Sequence, residues 1–330
     1  MIRVAGCSRP AATLGGTVVP AAIALQFDPT MRIGTVAVRV ETLGLALVIL
    51  GTILLAARIA VVERRRAARA GPASALSGSA DLRLDDLLFL LLGAVPGAVI
   101  GGRLGSVLAH ADFYAAQPAA IIDPGVGGLS LGLAVGGGLV SALYVGRLLD
   151  APLGSWAHVA VLPLLFGLAA GKVALAFGGT GQGLPSDVAW ATAYTGSGAW
   201  GSLGPEVPSH PTQLYEALTT LAALVLVGAA ISLGAFARRD GAALVFGLAL
   251  WAAGRALVSQ TWRDEPVMGS LGVEGLVSFG IVLGSVVVLV VLVALRRGAG
   301  RRARLNVLGE IDGLAADVPE WPDPSTRPRF

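Results

Sequence analysis

Charge is scarce in this 330-residue chain: Asp, Glu, Lys and Arg make up 14% of it, against about 25% in ordinary soluble domains. So few charged groups cannot cover a water-facing surface of normal size, which excludes a soluble enzyme. Cysteine occurs once, which excludes a disulfide framework or a cysteine-rich metal centre. The histidines, His110, His158 and His210, are scattered and offer no histidine-built metal site. No internal repeat of fixed period is present. What the chain has in excess is apolar. Hydrophobic residues reach 55% and mean hydropathy +0.75, which excludes disorder for the bulk of the chain.

An apolar run needs about 20 residues to cross a bilayer. Seven stretches qualify: 42–62, 86–109, 128–149, 156–177, 212–235, 241–260 and 271–295. Backbone groups in lipid must pair within their own segment, so each stretch reads as a helix. The expected fold class is an all-α integral membrane protein of seven transmembrane helices. Basic residues collect in alternate connections: Arg64, Arg65, Arg66 and Arg69; Arg147; Arg238 and Arg239; then Arg296, Arg297, Arg301, Arg302 and Arg304. The intervening loops near 110–127 and 178–211 contain no Lys or Arg, and the loop near 261–270 holds only Arg263. The positive-inside rule then places the N-terminus outside and the C-terminus in the cytoplasm. Arginines in every second loop set topology and meet anionic lipid headgroups; they are not a nucleic-acid-binding pattern.

Three segments follow: residues 1–41 as an extracytoplasmic N-terminal segment, 42–296 as the seven-helix membrane domain, and 297–330 as a cytoplasmic tail of low order. Val4-Ala5-Gly6-Cys7 has the form of a lipobox, the site where lipoproteins are lipidated. Only three residues precede it, too few for the apolar core of a signal peptide, so it reads as coincidence.

Ionisable groups inside a membrane are costly and mark functional sites by default. Here they are Glu41 in span 1, Arg103 in span 2, Lys172 in span 4, His210, Gln213, Tyr215 and Glu216 opening span 5, Arg255 in span 6 and Glu274 opening span 7. On the inferred topology all of them fall in the outer half of the bundle. Charges of both signs at one depth point to a polar cavity, and the three cations suit an anionic headgroup such as a phosphate. A structural ion-pair network that only holds helices together is the competing explanation. Glycines at four-residue spacing in 101–105, 132–138 and 167–171 let helix backbones approach closely.

The most specific segment is His210-Pro211-Thr212-Gln213-Leu214-Tyr215-Glu216. Pro211 suits the first turn of a helix. Gln213 and Glu216, three apart, and Thr212 and Glu216, four apart, share a face.

This segment resembles the HPSQLYE signature of the bacterial prolipoprotein diacylglyceryl transferases, with Thr for Ser. Gly101 to Gly105 is similar to that family's G-[AG]-R-L-G element, and Gly127-Gly128-Leu129-Ser130 to its G-G-[LM]-S element. Phe166 to Lys172 resembles its FGxxxGR stretch, and Gly254-Arg255 carries the arginine of its Y-x-x-x-R element. The resemblance covers residues 38–296. It implies an enzyme of the cytoplasmic (inner) membrane of bacteria. Such an enzyme moves the diacylglyceryl group of phosphatidylglycerol, as a thioether, onto the lipobox cysteine of a prolipoprotein, and glycerol 1-phosphate leaves. It implies no metal and no organic cofactor. The implied partners are phosphatidylglycerol, prolipoprotein signal peptides and membrane lipids, and no nucleic acid. Catalytic roles fall to His210, Glu216 and Arg255, and substrate or phospholipid binding to Arg103, Lys172, Gln213, Tyr215 and Gly183.

The chain departs from the family pattern at several positions. Gly132 stands where the family has a histidine. Lys172 replaces an arginine, Leu175 an asparagine, Thr180 a glutamate and Ser259 a glutamate, and Glu41 occupies the place of an early tyrosine. Lysine keeps a point charge but loses the bidentate fork. The alternative function is therefore a catalytically silent relative that binds phospholipid or lipoprotein signal sequences. A small-solute transporter fits less well, because such proteins show repeats and midplane sites.

Overall fold

The computed structural model describes residues 22–70, 82–123, 125–195 and 207–316. The lipobox-like Val4–Cys7 lies outside them. Two short strands, β1 (Ile23–Leu25) and β2 (Thr30–Ile33), precede β3 (Val36–Arg39) and helix α1 (Val40–Ala70). Then come α2 (Leu84–Ala109), the short α3 (Ala111–Ala116), a 3-10 turn at Pro118–Ile121, α4 (Leu131–Leu148) and α5 (Leu153–Ala176). Strand β4 (Thr192–Tyr194) lies in the following loop, and α6 (Thr212–Ser232), α7 (Ala242–Val258) and α8 (Val273–Ala316) complete the order. Seven of these helices, all but α3, are long and apolar enough to cross a membrane. The chain is a seven-span, multi-pass membrane protein, and five of the seven spans begin and end within a few residues of the sequence expectation, while α1 runs eight residues past it to Ala70.

The seventh differs. Its helix runs on to Ala316, so residues 297–316 are helical rather than an irregular tail. That stretch is rich in Arg, Ala and Leu, which are strong helix formers. Residues through Val286 form one compact unit, and the remainder of α8 belongs to a second.

Glycine spacing fixes the closest helix pair. Gly93, Gly97, Gly101 and Gly105 repeat every four residues along one face of α2, and each meets α4. A Cβ at Gly97 would run into the carbonyl of Gly137, one at Gly101 into that of Leu133, and one at Gly105 into Ser130. Ser141 seals the seam by donating to the Gly93 carbonyl at 2.6 Å. Without side chains between them the backbones pack directly, which substitutes for the hydrophobic driving force that lipid removes.

A second core binds α5, α6 and α7 through Val161, Leu165, Ala223, Val227, Ala243, Trp251 and Ala252. The outward faces of the helices carry exposed Leu, Ile, Val and Phe, among them Leu47, Ile100, Val140 and Leu218. A continuous apolar exterior of this kind is what a lipid-facing surface requires.

The small strands lie at one end of the bundle. β1 pairs with β4 in parallel, and β2 with β3 antiparallel. At that end α2, α5 and α7 finish while α4, α6 and α8 begin. The other end holds a separate ion cluster: Glu63 accepts from Arg66 at 3.0 Å and from Arg239.

Candidate functional site

Four charged side chains from four helices meet in one chain of ion pairs. Glu216 on α6 accepts from Lys172 Nζ of α5 at 2.8 Å through Oε1, and from Arg255 Nη1 of α7 through Oε2. Arg255 Nη2 donates in turn to Glu274 of α8 at 2.9 Å. Glu216 is 4% exposed and Arg255 3%. Two cations and two anions balance, and each charge holds a partner, as burial at this depth demands.

Local structure places these groups. Pro211 precedes α6 and leaves Thr212 and Gln213 on its first turn, so Glu216 lands one turn in, facing α5 and α7. Thr220 donates to the Glu216 backbone carbonyl at 2.6 Å. Trp251 and Trp262 flank the Arg255 guanidinium with ring centroids 5.5 and 4.6 Å away. They hold it by cation–π contact and keep its plane fixed.

The network lies against a cavity of about 350 Å³, whose wall includes His110, Ser130, Lys172, Thr212, Glu216, Arg255, Trp262, Asp264 and Glu274. Three buried atoms around this end lack a protein partner: Arg255 Nε, Ser130 Oγ and Gln213 Oε1. Buried polar atoms are nearly always paired, and these are exceptions to that rule. Asp264, in the loop between α7 and α8, has its carboxyl pushed above the usual carboxylate range. Desolvation is the main cause and the Glu274 carboxylate the next, while His110 and Arg255 oppose the rise.

A second, apolar groove of about 670 Å³ runs along Val99, Ile100, Leu104 and Val107 of α2 and shares Gly128 and Leu129 with the polar cavity.

The sequence-predicted residues divide. Lys172, Glu216 and Arg255 come together, with Glu274. Gln213 stands beside them and donates to the Tyr194 hydroxyl at 3.1 Å, and Tyr194 donates to the Ala176 carbonyl at 2.7 Å. Burial pushes the Tyr194 phenol up to about 12.

Arg103 is elsewhere. Its guanidinium donates to the carbonyls of Ala120, Ile121, Asp123 and Val126 and sits 5.4 Å over the Tyr114 ring. It folds the loop after α3 and borders the apolar groove, and it is not part of the cation cluster.

His210 is not on the cavity wall. Its Nδ1 lies 3.3 Å from the Tyr215 hydroxyl, which also accepts from Trp190 at 2.6 Å. Gly183 packs too tightly for a side chain, against Thr212 and the Thr261 carbonyl.

The positions that depart from the family pattern have structural partners. Glu41 accepts from Thr180 at 2.8 Å and pairs by charge with Arg39, 2.7 Å away, so two of the substituted positions bind each other. A Cβ at Gly132 would lie 2.8 Å from Val277 and 3.5 Å from the Glu274 carboxylate. Ser259 returns its hydroxyl to the Ala256 carbonyl at 2.8 Å.

His110, Ser130, Trp262 and Asp264 line the cavity without having been among the expected site residues. Span depth was the available signal for His110, since it follows the last turn of α2 much as Lys172 and Arg255 sit near the ends of α5 and α7.

Comparison with known proteins gives the family. The family model for prolipoprotein diacylglyceryl transferase matches residues 30–291. Three proteins named phosphatidylglycerol–prolipoprotein diacylglyceryl transferase show the range of similarity. The Solidesulfovibrio magneticus protein is 33% identical over 168 residues, 51% of this chain and 58% of that protein. The Beijerinckia indica protein is 33% identical over 227 residues, 66% and 76%. The Nitrobacter hamburgensis protein is 29% identical over 282 residues, 82% and 90%. The match to the first of these therefore spans under two thirds of its length. With seven spans in place and the match running from β2 into α8, this chain belongs to the prolipoprotein diacylglyceryl transferase family.

Proposed function

We propose that the protein transfers the diacylglyceryl group of phosphatidylglycerol to the lipobox cysteine of prolipoproteins. The observation that carries this reading is the buried Lys172–Glu216–Arg255–Glu274 network lining an open cavity. The chemistry is a displacement at the glycerol carbon that bears the phosphate. Charge builds on the departing phosphate oxygen, and preset cations in a dry site stabilise such charge far better than water does. Arg255, stacked and held by two carboxylates, keeps its charge at the cavity wall without having to reorganise, and Lys172 adds a point charge. The apolar groove on α2 suits the acyl chains, since it joins the polar cavity at Gly128 and Leu129.

The proposed setting is the bacterial cytoplasmic membrane with the cavity on the outer side. Arg64 to Arg66, Arg147 and Arg239 gather at the bundle end opposite the cavity, as the positive-inside rule asks. That side is also where an exported lipobox emerges.

The test is purified protein in vesicles of phosphatidylglycerol, phosphatidylethanolamine or phosphatidylcholine with a lipobox peptide. The expected result is a diacylglyceryl mass gain on the cysteine in the phosphatidylglycerol vesicles. Folded protein that binds phosphatidylglycerol without transferring it would refute the enzyme and favour a silent lipid-binding relative.

A further inference from the structure

Displacement by sulfur requires a thiolate, so some group must take the thiol proton. We infer that His110 is that general base. This rests on the transfer reading above.

Apart from Asp264, the other titratable groups at the cavity are engaged. Both oxygens of Glu216 accept from cations, and Glu274 accepts from Arg255. His210 lies off the wall, with its ring against Tyr215. His158 is on α5, fourteen residues before Lys172 and so about 21 Å away along the helix.

His110 is different. It caps the C-terminus of α2, is exposed, and lines the cavity. Its Nδ1 lies 3.1 Å from the Ser106 carbonyl. A carbonyl only accepts, so Nδ1 carries the proton and Nε2 keeps its lone pair. Among the described residues nothing pairs with Nε2. Asp264, on the facing loop, is close enough for its charge state to depend on His110. Its carboxyl stabilises the imidazolium as that forms. The other charges facing the imidazole across the cavity are Lys172, Glu216, Arg255, Arg263 and Glu274.

In the transfer step Nε2 takes the proton from the cysteine S–H. The sulfur forms a bond to the glycerol carbon, and the bond from that carbon to the phosphate oxygen breaks with its electron pair going to oxygen. Glycerol phosphate leaves with one more negative charge than phosphatidylglycerol carried, opposite Arg255 and Lys172. The imidazolium then releases its proton to water at the cavity mouth.

A positioned base of this kind contributes about 10²–10⁴-fold. The experiment measures kcat and KM against pH for the full chain in phosphatidylglycerol vesicles with a lipobox peptide. His110→Asn, His110→Ala and His210→Asn are run beside wild type. His110→Asn can still donate to the Ser106 carbonyl but cannot accept the proton.

At pH 7 His110→Asn is expected to lose about 100-fold or more in kcat, with KM within about twofold. The acidic limb of the wild-type profile should vanish in it, its rate should climb toward the thiol's own ionisation near pH 8.5, and added imidazole should restore part of the rate to His110→Ala. His210→Asn should retain the acidic limb.

Two His110 variants within threefold of wild type would overturn the assignment, as would a wild-type profile without an acidic limb. Wild type that forms no thioether at all would instead overturn the transfer reading, and the base assignment with it.

Discussion

Glu216 is the joint of the ion network, and its loss should cost more than the loss of any other member. In Glu216→Gln the amide oxygen still accepts one bond, but Lys172 and Arg255 together lose the anion between them. Arg255 keeps Glu274 as a partner, whereas Lys172, whose side chain is 15% exposed, keeps none. Removing one partner of a buried pair costs about 3–5 kcal/mol because it strands the other charge. The surviving amide bond puts Glu216→Gln near the lower figure. At about 2–4 °C per kcal/mol for a chain of this class, 3 kcal/mol is a fall of about 6–12 °C in Tm.

Glu274→Gln removes one bond from an arginine that keeps Glu216, and should cost about half as much. Adding Lys172→Met to Glu216→Gln removes the stranded cation and should recover stability while leaving activity lost. The assay is thermal unfolding in detergent, with thioether formation measured on the same preparations. Glu216→Gln within 1 °C of wild type, or Glu274→Gln the more damaging of the two, would show that Glu216 is not the joint.

Other perturbations separate the fold from the chemistry. Gly97→Leu drives a side chain into the Gly137 carbonyl and should abolish folded protein, while Gly136→Ala, which meets nothing within 4 Å, should leave expression and Tm unchanged. Arg103→Lys replaces a planar fork serving four carbonyls with a point donor, and limited proteolysis should then cut within 117–127 where wild type resists. Tyr194 has its folded pKa raised to about 12, so its contribution is full below pH 10 and is lost as pH rises from 10 toward 12. The folded phenol ionises about a hundredfold less readily than the unfolded one, and each tenfold is worth 1.36 kcal/mol, so Tyr194→Phe should flatten the alkaline stability curve by about 2–3 kcal/mol over that window. An unchanged slope by denaturant unfolding would contradict this.

The seven helices were legible because lipid imposes one rule, about 20 apolar residues per span, and this chain follows it. The four-residue glycine spacing likewise announced close packing, although only the structure shows that Gly93 to Gly105 meets α4. Depth alone brought Lys172, Glu216, Arg255 and Glu274 to one level, and all four meet. Arg103 lies at the same level and does not join them, because depth does not say which way a side chain turns. Local carbonyls in the loop after α3 occupy its guanidinium.

His210 stands apart for a related reason. It adjoins the most specific motif, but the helix start turns it toward Tyr215 and Trp190 while Thr212 and Glu216 face the cavity. Pairings such as Glu41 with Thr180 join residues 139 positions apart, and no local pattern encodes them. The helical stretch 297–316 was hidden in a different way: its dense charge and the prolines that follow it suggest an irregular tail, although its residues are mostly strong helix formers.

If the Arg255-centred network is where phosphatidylglycerol gives up its diacylglyceryl group, wild type and Arg255→Ala must differ in both products. The decisive measurement counts thioether peptide and glycerol phosphate from the two proteins in phosphatidylglycerol vesicles. Wild type should release equal amounts of the two, and the folded variant should lose about 100-fold or more in both, as for removal of a preset charge stabiliser. Equal rates from the two proteins, or glycerol phosphate without thioether, would contradict that role for Arg255.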